Sequence, residues 1–183
     1  MSEKIGKSKV LVKLCVTGMF AAFICVATML IRIPMPICGY VNFGDCFVIL
    51  AAWILGPVYG FAAGGIGSAL ADLLAGYAQY IPGTFIIKGL VAAAAALIAH
   101  AVLRKSAAHR LAGYAMGALA GELIMLGGYF LYEAAALGYG IAGALSSVAG
   151  NAVQGAFGAG LSVILAQTLA KTGALKKYSG YAI

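Results

Sequence analysis

The fold of this chain is decided by a stretch that reads, from residue 56 to residue 77, GPVYGFAAGGIGSALADLLAGY. It carries one charged residue and is about as long as the roughly 20 apolar residues that a helix needs to cross a bilayer. Along it, small residues and one acid recur at every fourth position and so share one face of a helix: Gly56, Gly60, Gly64, Ser68 and Asp72. Small residues let membrane helices pack closely, so this stretch predicts a packed transmembrane helix.

The composition extends this prediction to the whole chain. Of its 183 residues, 63% are hydrophobic and only 9% are charged, whereas a water-soluble domain carries about a quarter charged residues. Lipid must therefore cover most of the outer surface, and we predict an all-α polytopic membrane protein with a single domain over residues 1–183. The net charge of +7 indicates the inner membrane surface and not nucleic acid, because the basic residues lie at the ends of apolar segments.

Six apolar segments predict six transmembrane helices in one bundle. We place them at 10–31, 43–56, 58–77, 83–103, 111–137 and 141–170. The second is short, and Pro57 separates it from the third because proline does not continue a helix interior. Pro34 and Pro36 break the chain after the first span and predict an extended loop there.

The basic residues orient this bundle. With the N-terminus inside, ten of the twelve lysines and arginines lie on the cytoplasmic side, as the positive-inside rule requires: Lys4, Lys7, Lys9, Lys13, Arg104, Lys105, Arg110, Lys171, Lys176 and Lys177. Arg32 falls in an outer loop and Lys88 within a span. We therefore predict that both termini are cytoplasmic.

Polar residues inside the spans identify a candidate binding region. Each charge at mid-bilayer costs about 2.5–3.5 kcal/mol on insertion scales, so each needs a reason. The residues in question are Asp45, Asp72, Lys88, Glu122, Glu133, Asn42, Ser147, Asn151 and Gln154. Most fall in the outer halves of their spans, and Glu122 alone approaches the midplane. This asymmetry predicts a pocket that opens outward, because a channel needs polar groups along its whole length.

Structural roles compete with binding for several of these residues. Asp72 and Lys88 lie on consecutive spans at similar depth and can form an internal salt bridge. Asn42 and Asp45 flank the start of the second span, where helix capping explains them as well as binding does.

Other polar residues divide between binding and structural roles. Ser147 can bond its own helix backbone, whereas Glu133 and Asn151 have no local partner and favour a ligand. Tyrosines near the outer rim are typical of an interfacial belt: Tyr40, Tyr77, Tyr80, Tyr129, Tyr132 and Tyr139. We predict that a small polar ring compound binds among Asp72, Lys88, Tyr129, Glu133, Asn151 and Asn42.

Several classes of chemistry have no motif in this sequence. It contains no GxxxxGK[ST] phosphate loop, HExxH, GxSxG or Cys/His cluster, so we expect neither ATP hydrolysis by this chain, nor an enzyme, nor a bound metal or cofactor. Asp72 and Glu133 are a conceivable acid pair, although nothing in the sequence brings them together. Cys38 and Cys46 fall near the same loop, but the four cysteines form no disulfide framework.

A set of motifs between residues 42 and 89 resembles a known family. They read NFGD at 42–45, GP at 56–57, GGIGSALADLL at 64–74 and PGTFIIKG at 82–89. This string resembles the S components, the substrate-capture subunits, of energy-coupling factor (ECF) vitamin importers. It is most similar to the branch associated with hydroxymethylpyrimidine and pyridoxine, and the likeness extends to the length, the six spans and the basic N-terminus.

The resemblance implies a function and partners that spacing alone does not show. It implies vitamin capture in a multi-pass protein of the bacterial cytoplasmic membrane, with a transmembrane T component and two ABC-type ATPases as partners. The family's docking motif on the first span matches Gly18 and Ala22, and a ligand-gating loop maps near 32–40. The family's S component is thought to topple in the membrane while ATP is hydrolysed elsewhere. The alternative is a self-sufficient proton-coupled carrier with Asp72, Lys88 and Glu122 as its relay.

Overall fold

The computed structural model of this chain describes residues 2–35, 39–103 and 110–171, with side chains from Val10 onward. The described residues form six α-helices and one short hairpin. In chain order these elements are α1 (Ser2–Leu30), β1 (Arg32–Pro34), β2 (Tyr40–Asn42), α2 (Gly44–Leu55), α3 (Pro57–Ala75), a 3-10 turn (Ala78–Tyr80), α4 (Ile81–Leu103), α5 (Arg110–Leu131), a π turn (Tyr132–Ala136) and α6 (Gly140–Lys171). The all-α class predicted from the composition is confirmed.

Five of the helices are long and apolar enough to cross a bilayer, and α2 is not one of them. With 12 residues, α2 is about 18 Å long at 1.5 Å per residue, against a hydrocarbon core of about 30 Å. Gly56 ends α2 with a φ of 82°, and Pro57 begins α3 directly after it. Positive φ suits glycine, and proline suits a first helical turn, so the predicted break lies where the sequence placed it.

The short helix α2 lies inside the bundle, in contact with α1, α3, α4 and α6. Trp53 of α2 is 1% exposed, and its indole N–H donates to the carbonyl of Ala95 at 3.2 Å. Its ring packs against Tyr114 of α5, with ring centroids 4.5 Å apart. Because α2 is surrounded, the polar side chains at its start project into the protein and not into lipid.

Glycine faces set the close approach of the helices, as the small-residue pattern predicts. A Cβ on Gly60 of α3 would lie 2.7 Å from the Cα of Ala52 in α2. A Cβ on Gly117 of α5 would lie 2.5 Å from the carbonyl oxygen of Ala95 in α4. At both positions the backbone of the neighbouring helix occupies the space that a side chain would need, so these helices pack backbone to backbone.

The predicted loop after α1 contains a two-stranded antiparallel hairpin. Arg32 pairs with Asn42 and Pro34 with Tyr40. The N–H of Met35 donates to the carbonyl of Gly39 at 3.1 Å and closes the hairpin. Cys38, which the sequence left as a possible partner for Cys46, lies outside the described residues. Cys46 has a free thiol, which donates to the carbonyl of Phe43 at 3.2 Å.

Candidate functional site

A small polar cavity lies where the hairpin meets the bundle. Its free volume is about 30 Å³, which is room for about two water molecules. It is lined by Thr28, Met35, Gly39, Tyr40, Asn42, Ser68, Asp72, Tyr80, Thr84, Lys88, Tyr129, Glu133, Asn151 and Gln154. The hairpin contributes residues from both sides of its turn, so it covers the cavity. All six residues predicted to bind substrate lie in this lining.

Asp72 connects the cavity to the hairpin. Its Oδ1 accepts the hydroxyl of Tyr40 at 2.6 Å, while its Oδ2 is buried and has no hydrogen-bond partner among the described residues. Burial raises the pKa of the Tyr40 hydroxyl above its ordinary value of 10.0, and the neighbouring Asp72 carboxylate raises it further. The guanidinium carbon of Arg32 lies 5.9 Å from the centre of the Tyr40 ring.

Lys88 forms its ion pair with Asp45 of α2, so the salt bridge to Asp72, which the sequence left as an alternative to binding, is not the one that forms. The ammonium group also donates to the sulfur of Met125 at 3.0 Å and lies 5.5 Å from the centre of the Tyr129 ring. Lys88 and Asp45 are 3% and 1% exposed, so the pair is isolated from solvent. The physical reason is that α2 packs against both α3 and α4, which brings the carboxylate of Asp45 to Lys88.

Gln154 links this ion pair to the hairpin. Its side-chain nitrogen donates to Oδ2 of Asp45 at 2.7 Å, and its side-chain oxygen accepts the backbone N–H of Asn42 at 2.7 Å. The side chain of Asn42 accepts the N–H of Gly44 at 2.8 Å. Asn42 does not cap α2 as predicted, because the N-cap residue is Phe43 and has no side-chain capping bond. The same prediction is also wrong for Asp45, because its carboxylate is bonded to Lys88 and Gln154.

Glu133 lies in the π turn that ends α5. Its carboxylate accepts the hydroxyl of Tyr80 at 3.1 Å and also the hydroxyl of Ser147. Glu133 therefore has two hydrogen-bond partners in the fold that the sequence pattern did not indicate. The Ser147 hydroxyl also lies 3.0 Å from the carbonyl of Ala144 in its own helix, so its single proton is shared between the carboxylate and this predicted helix partner. Tyr80 is 4% exposed, so it belongs to the cavity and not to an interfacial belt.

Tyr129 and Asn151 are the remaining two of the predicted binding residues in the cavity lining. The hydroxyl of Tyr129 lies 3.0 Å from that of Thr84, so this tyrosine too is part of the cavity. Asn151 is 5% exposed, and its side-chain nitrogen lies 3.5 Å from the hydroxyl of Ser147. That is a long contact, which leaves the Asn151 amide able to serve a second partner.

Glu122, predicted to lie near the midplane, does not line this cavity. It is 7% exposed, and neither carboxylate oxygen has a hydrogen-bond partner in the described part of the chain. Its carboxylate faces Gly155 and Gly158 of α6. Over the described residues, no group of three or more metal-binding side chains occurs.

Several cavity residues were not among the predicted binding residues. Three of them share a helix face with one that was: Gln154 with Asn151, Thr84 with Lys88, and Ser68 with Asp72. Their periodicity is a signal that would have found them. Tyr40 and Tyr80 carry no such signal, because a hairpin and a 3-10 turn bring them to the cavity.

Comparisons with known proteins agree with this architecture. A family model for the S component of ECF-type riboflavin transporters matches residues 9–171. A protein of Pyrococcus woesei, described as an uncharacterized protein in a gap 3' region, is 52% identical over 65 residues. That match covers 35% of this chain and 43% of the relative, so it spans less than half of the relative's length.

A solved structure, described as that of the S component of a bacterial ECF transporter, shares the fold. The TM-score is 0.63 at 19% sequence identity, and the match covers 87% of this chain and 96% of the other. The fold thus agrees with the family model, which extends over nearly all of the described residues. The chain is a membrane protein that belongs to the family of ECF-type riboflavin transporter S components.

Proposed function

We propose that this chain is the substrate-binding membrane subunit of an ATP-driven ECF importer for a small water-soluble vitamin or vitamin precursor. A pyridoxine-type or hydroxymethylpyrimidine-type ring is the favoured substrate. The observation that carries this proposal is the buried Oδ2 of Asp72, a residue that lines the covered polar cavity: this oxygen has no hydrogen-bond partner within the described part of the chain. A buried acceptor without a partner costs about 1–3 kcal/mol, and a hydroxyl or amino group on a ligand would remove that cost.

The other polar groups around the cavity complement such a ring. Lys88 uses its N–H groups on Asp45 and Met125, and an ammonium has three, so one remains for a ligand oxygen or ring nitrogen. The Asn151 amide offers both a donor and an acceptor. The faces of Tyr80 and Tyr129, whose ring centroids are 6.4 Å apart, supply aromatic surface beside these polar groups.

The size of the cavity favours a single ring. Its free volume is about 30 Å³, so any vitamin requires the hairpin or the side chains to move outward. A substituted six-membered ring needs a much smaller expansion than the three fused rings and the ribityl chain of riboflavin. Riboflavin is nevertheless the competing substrate, because it is the one that the family's description names.

Equilibrium binding to the detergent-purified chain tests the proposal. We expect one of pyridoxine, hydroxymethylpyrimidine and riboflavin to bind far more tightly than the others. The proposal fails if none binds with a Kd below about 1 mM, which corresponds to only about 4 kcal/mol of binding free energy. A tight complex with riboflavin alone would keep the binding function and overturn the favoured substrate.

A matched pair of variants ties binding to Asp72. Asp72→Asn turns one carboxylate oxygen into an N–H donor, which would oppose the ligand's own donor. We expect it to weaken binding by about tenfold to a hundredfold, the range for a hydrogen bond to a charged group. Ser162→Ala is the control, because Ser162 is buried in α6 and lies outside the cavity, and its side chain bonds only the carbonyl of Ala159 among the described residues.

ATP-driven import through this chain would need partner subunits, because its sequence has no ATP-binding motif. We propose a transmembrane T component and two ABC-type ATPase subunits, docked through the Gly18 and Ala22 face of α1. Both residues are exposed, and no described atom outside the α1 backbone and the adjacent residues lies within 4 Å of where a Cβ on Gly18 would be. The proton-coupled carrier is the alternative, and we expect the chain reconstituted alone with a pH gradient to take up no vitamin.

We also propose that α2 counts as the second of six crossings in the cytoplasmic membrane. In this topology the hairpin that precedes α2 lies toward the outer surface, and α2 is flanked by α1 and α3, which are both long enough to cross a bilayer. An even number of crossings then leaves both termini in the cytoplasm, where the basic residues favour them.

A further inference from the structure

A continuous set of hydrogen bonds leads from the hairpin, through Gln154, to the wall of the cavity. The backbone N–H of Asn42 in β2 donates to the side-chain oxygen of Gln154, and the nitrogen of the same amide donates to Asp45. The other oxygen of Asp45 receives the ammonium group of Lys88, which lines the cavity. Gln154 and Asp45 therefore each have a hydrogen-bond partner toward the hairpin and another toward the cavity wall.

The burial of these groups fixes the orientation of the Gln154 amide. Gln154 is 3% exposed, and Asp45 is 1% exposed, so water does not replace a lost partner at either. Reversing the amide would turn its N–H groups toward the N–H of Asn42 and its oxygen toward the carboxylate. Both contacts would then be repulsive. The bond that holds the hairpin therefore depends on the carboxylate on the opposite side of the same amide.

We propose that Gln154 is a positioning residue that couples the Lys88–Asp45 ion pair to the hairpin over the cavity. A ligand acceptor that draws on Lys88 weakens its hold on Asp45, and Asp45 then accepts more strongly from Gln154. The amide oxygen of Gln154 becomes more negative and holds the N–H of Asn42 more tightly, since linked hydrogen bonds polarise one another at low dielectric. An occupied cavity thereby strengthens the closure of its own cover.

This inference rests on the proposed function, because the hairpin is a cover only if the cavity holds substrate. Its test, however, needs no ligand. Hydrogen–deuterium exchange of the Asn42 amide in the purified full chain reports directly on the bond to Gln154. We expect Gln154→Met, which keeps the length of the side chain and removes both bonds, to speed this exchange by about threefold to tenfold, as the loss of one ordinary hydrogen bond predicts.

The decisive variant alters the far end of the network. Lys88→Met alone leaves the carboxylate of Asp45 buried without a counter-charge, which is strongly destabilising. The pair Asp45→Asn with Lys88→Met removes both charges together and leaves Asn42 and Gln154 untouched. We expect this pair to speed exchange at Asn42 measurably. Combined with Gln154→Met, it should give no further increase, because changes that act through one bond are not additive.

The controls separate coupling from a general loosening. Amides of α6 around Ser162 should exchange at the wild-type rate in all of these variants, and Ser162→Ala should leave Asn42 unchanged. Wild-type exchange at Asn42 in the charge-pair variant, or faster exchange throughout α6, would overturn the coupling. If the chain binds a vitamin but shows no coupling, the coupling is wrong and the proposed function stands. If the coupling is observed but no vitamin binds, only the proposed function is wrong.

Discussion

The hydroxyl of Tyr40 donates to Oδ1 of Asp72 at 2.6 Å, so the hairpin is bonded to the residue that we propose as the main acceptor for a ligand. The two residues lie 32 positions apart in the sequence, one in β2 and the other in α3. In the proposed function this bond holds the hairpin over the cavity, and it orients the Asp72 carboxylate so that the second oxygen can accept from a ligand.

Removing this bond should shorten the residence of the ligand. Tyr40→Phe keeps the ring and its packing against Tyr77 but leaves Asp72 without a donor from the hairpin. We expect the tightest ligand of the vitamin panel to dissociate about threefold to tenfold faster, as the loss of one hydrogen bond predicts. Stopped-flow displacement measures the rate. Tyr139→Phe is the matched control, because Tyr139 is exposed and lies outside the cavity; equal rates in both variants would contradict the prediction.

The same hydroxyl should limit binding at high pH. In the folded protein the Tyr40 hydroxyl keeps its proton to a higher pH than a free tyrosine does, because burial and the Asp72 carboxylate raise the pKa of Tyr40 above the ordinary 10.0. Its contribution is therefore complete below about pH 10 and declines as the pH rises further, because the open form then gains free energy by ionising. We expect the Kd to stay constant with respect to this group from pH 7 to pH 9 and to rise above pH 10. The Tyr40→Phe chain, titrated in parallel, should lack that component of the rise.

The helices of this fold could be predicted from sequence because their signals are local. Apolar length located the helices, and the small-residue period of α3 indicated close packing before any neighbour was known. The hairpin was predicted only as an extended loop. Its pairing of Pro34 with Tyr40 depends on a turn whose geometry the sequence pattern does not encode.

The partners within the site could not be predicted in the same way. Depth in the membrane placed Asp72 and Lys88 at one level, but level does not determine which side of a helix faces which neighbour. Lys88 pairs with Asp45, 43 residues away, because α2 is enclosed by the other helices. The sequence predicts an interfacial belt for Tyr80, and the structure buries it. Its burial follows from a 3-10 turn beside the π turn of Glu133, and neither turn has a recognisable sequence signal.

Close helix packing gives a prediction about stability. Gly117→Ala would place a methyl group 2.5 Å from the carbonyl oxygen of Ala95, so α4 and α5 must separate. We expect a loss of about 1–3 kcal/mol, the usual cost of overpacking, and a lower Tm in detergent. Gly127→Ala is the control on the same helix, where no described atom outside the α5 backbone and the adjacent residues lies within 4 Å of the added carbon. It should leave Tm unchanged or raise it, because alanine favours a helix over glycine. Equal effects of the two changes would contradict the packing.

The exposed face of α1 gives a prediction that separates binding from transport. Gly18→Trp adds a large side chain where the isolated chain has open space, so the fold and the cavity should be unaffected. If the T component docks there, the indole blocks the close approach that glycine allows. We therefore expect co-purification with the T component and the ATPases to be lost, vitamin uptake to cease, and the Kd of the purified chain to stay within about twofold of wild type. Val12→Trp is the matched control, because Val12 is exposed on the same helix but about 120° around its axis from Gly18. Loss of binding together with uptake in Gly18→Trp would show that this face supports the fold, and equal loss of assembly in Val12→Trp would place the docking surface elsewhere on α1.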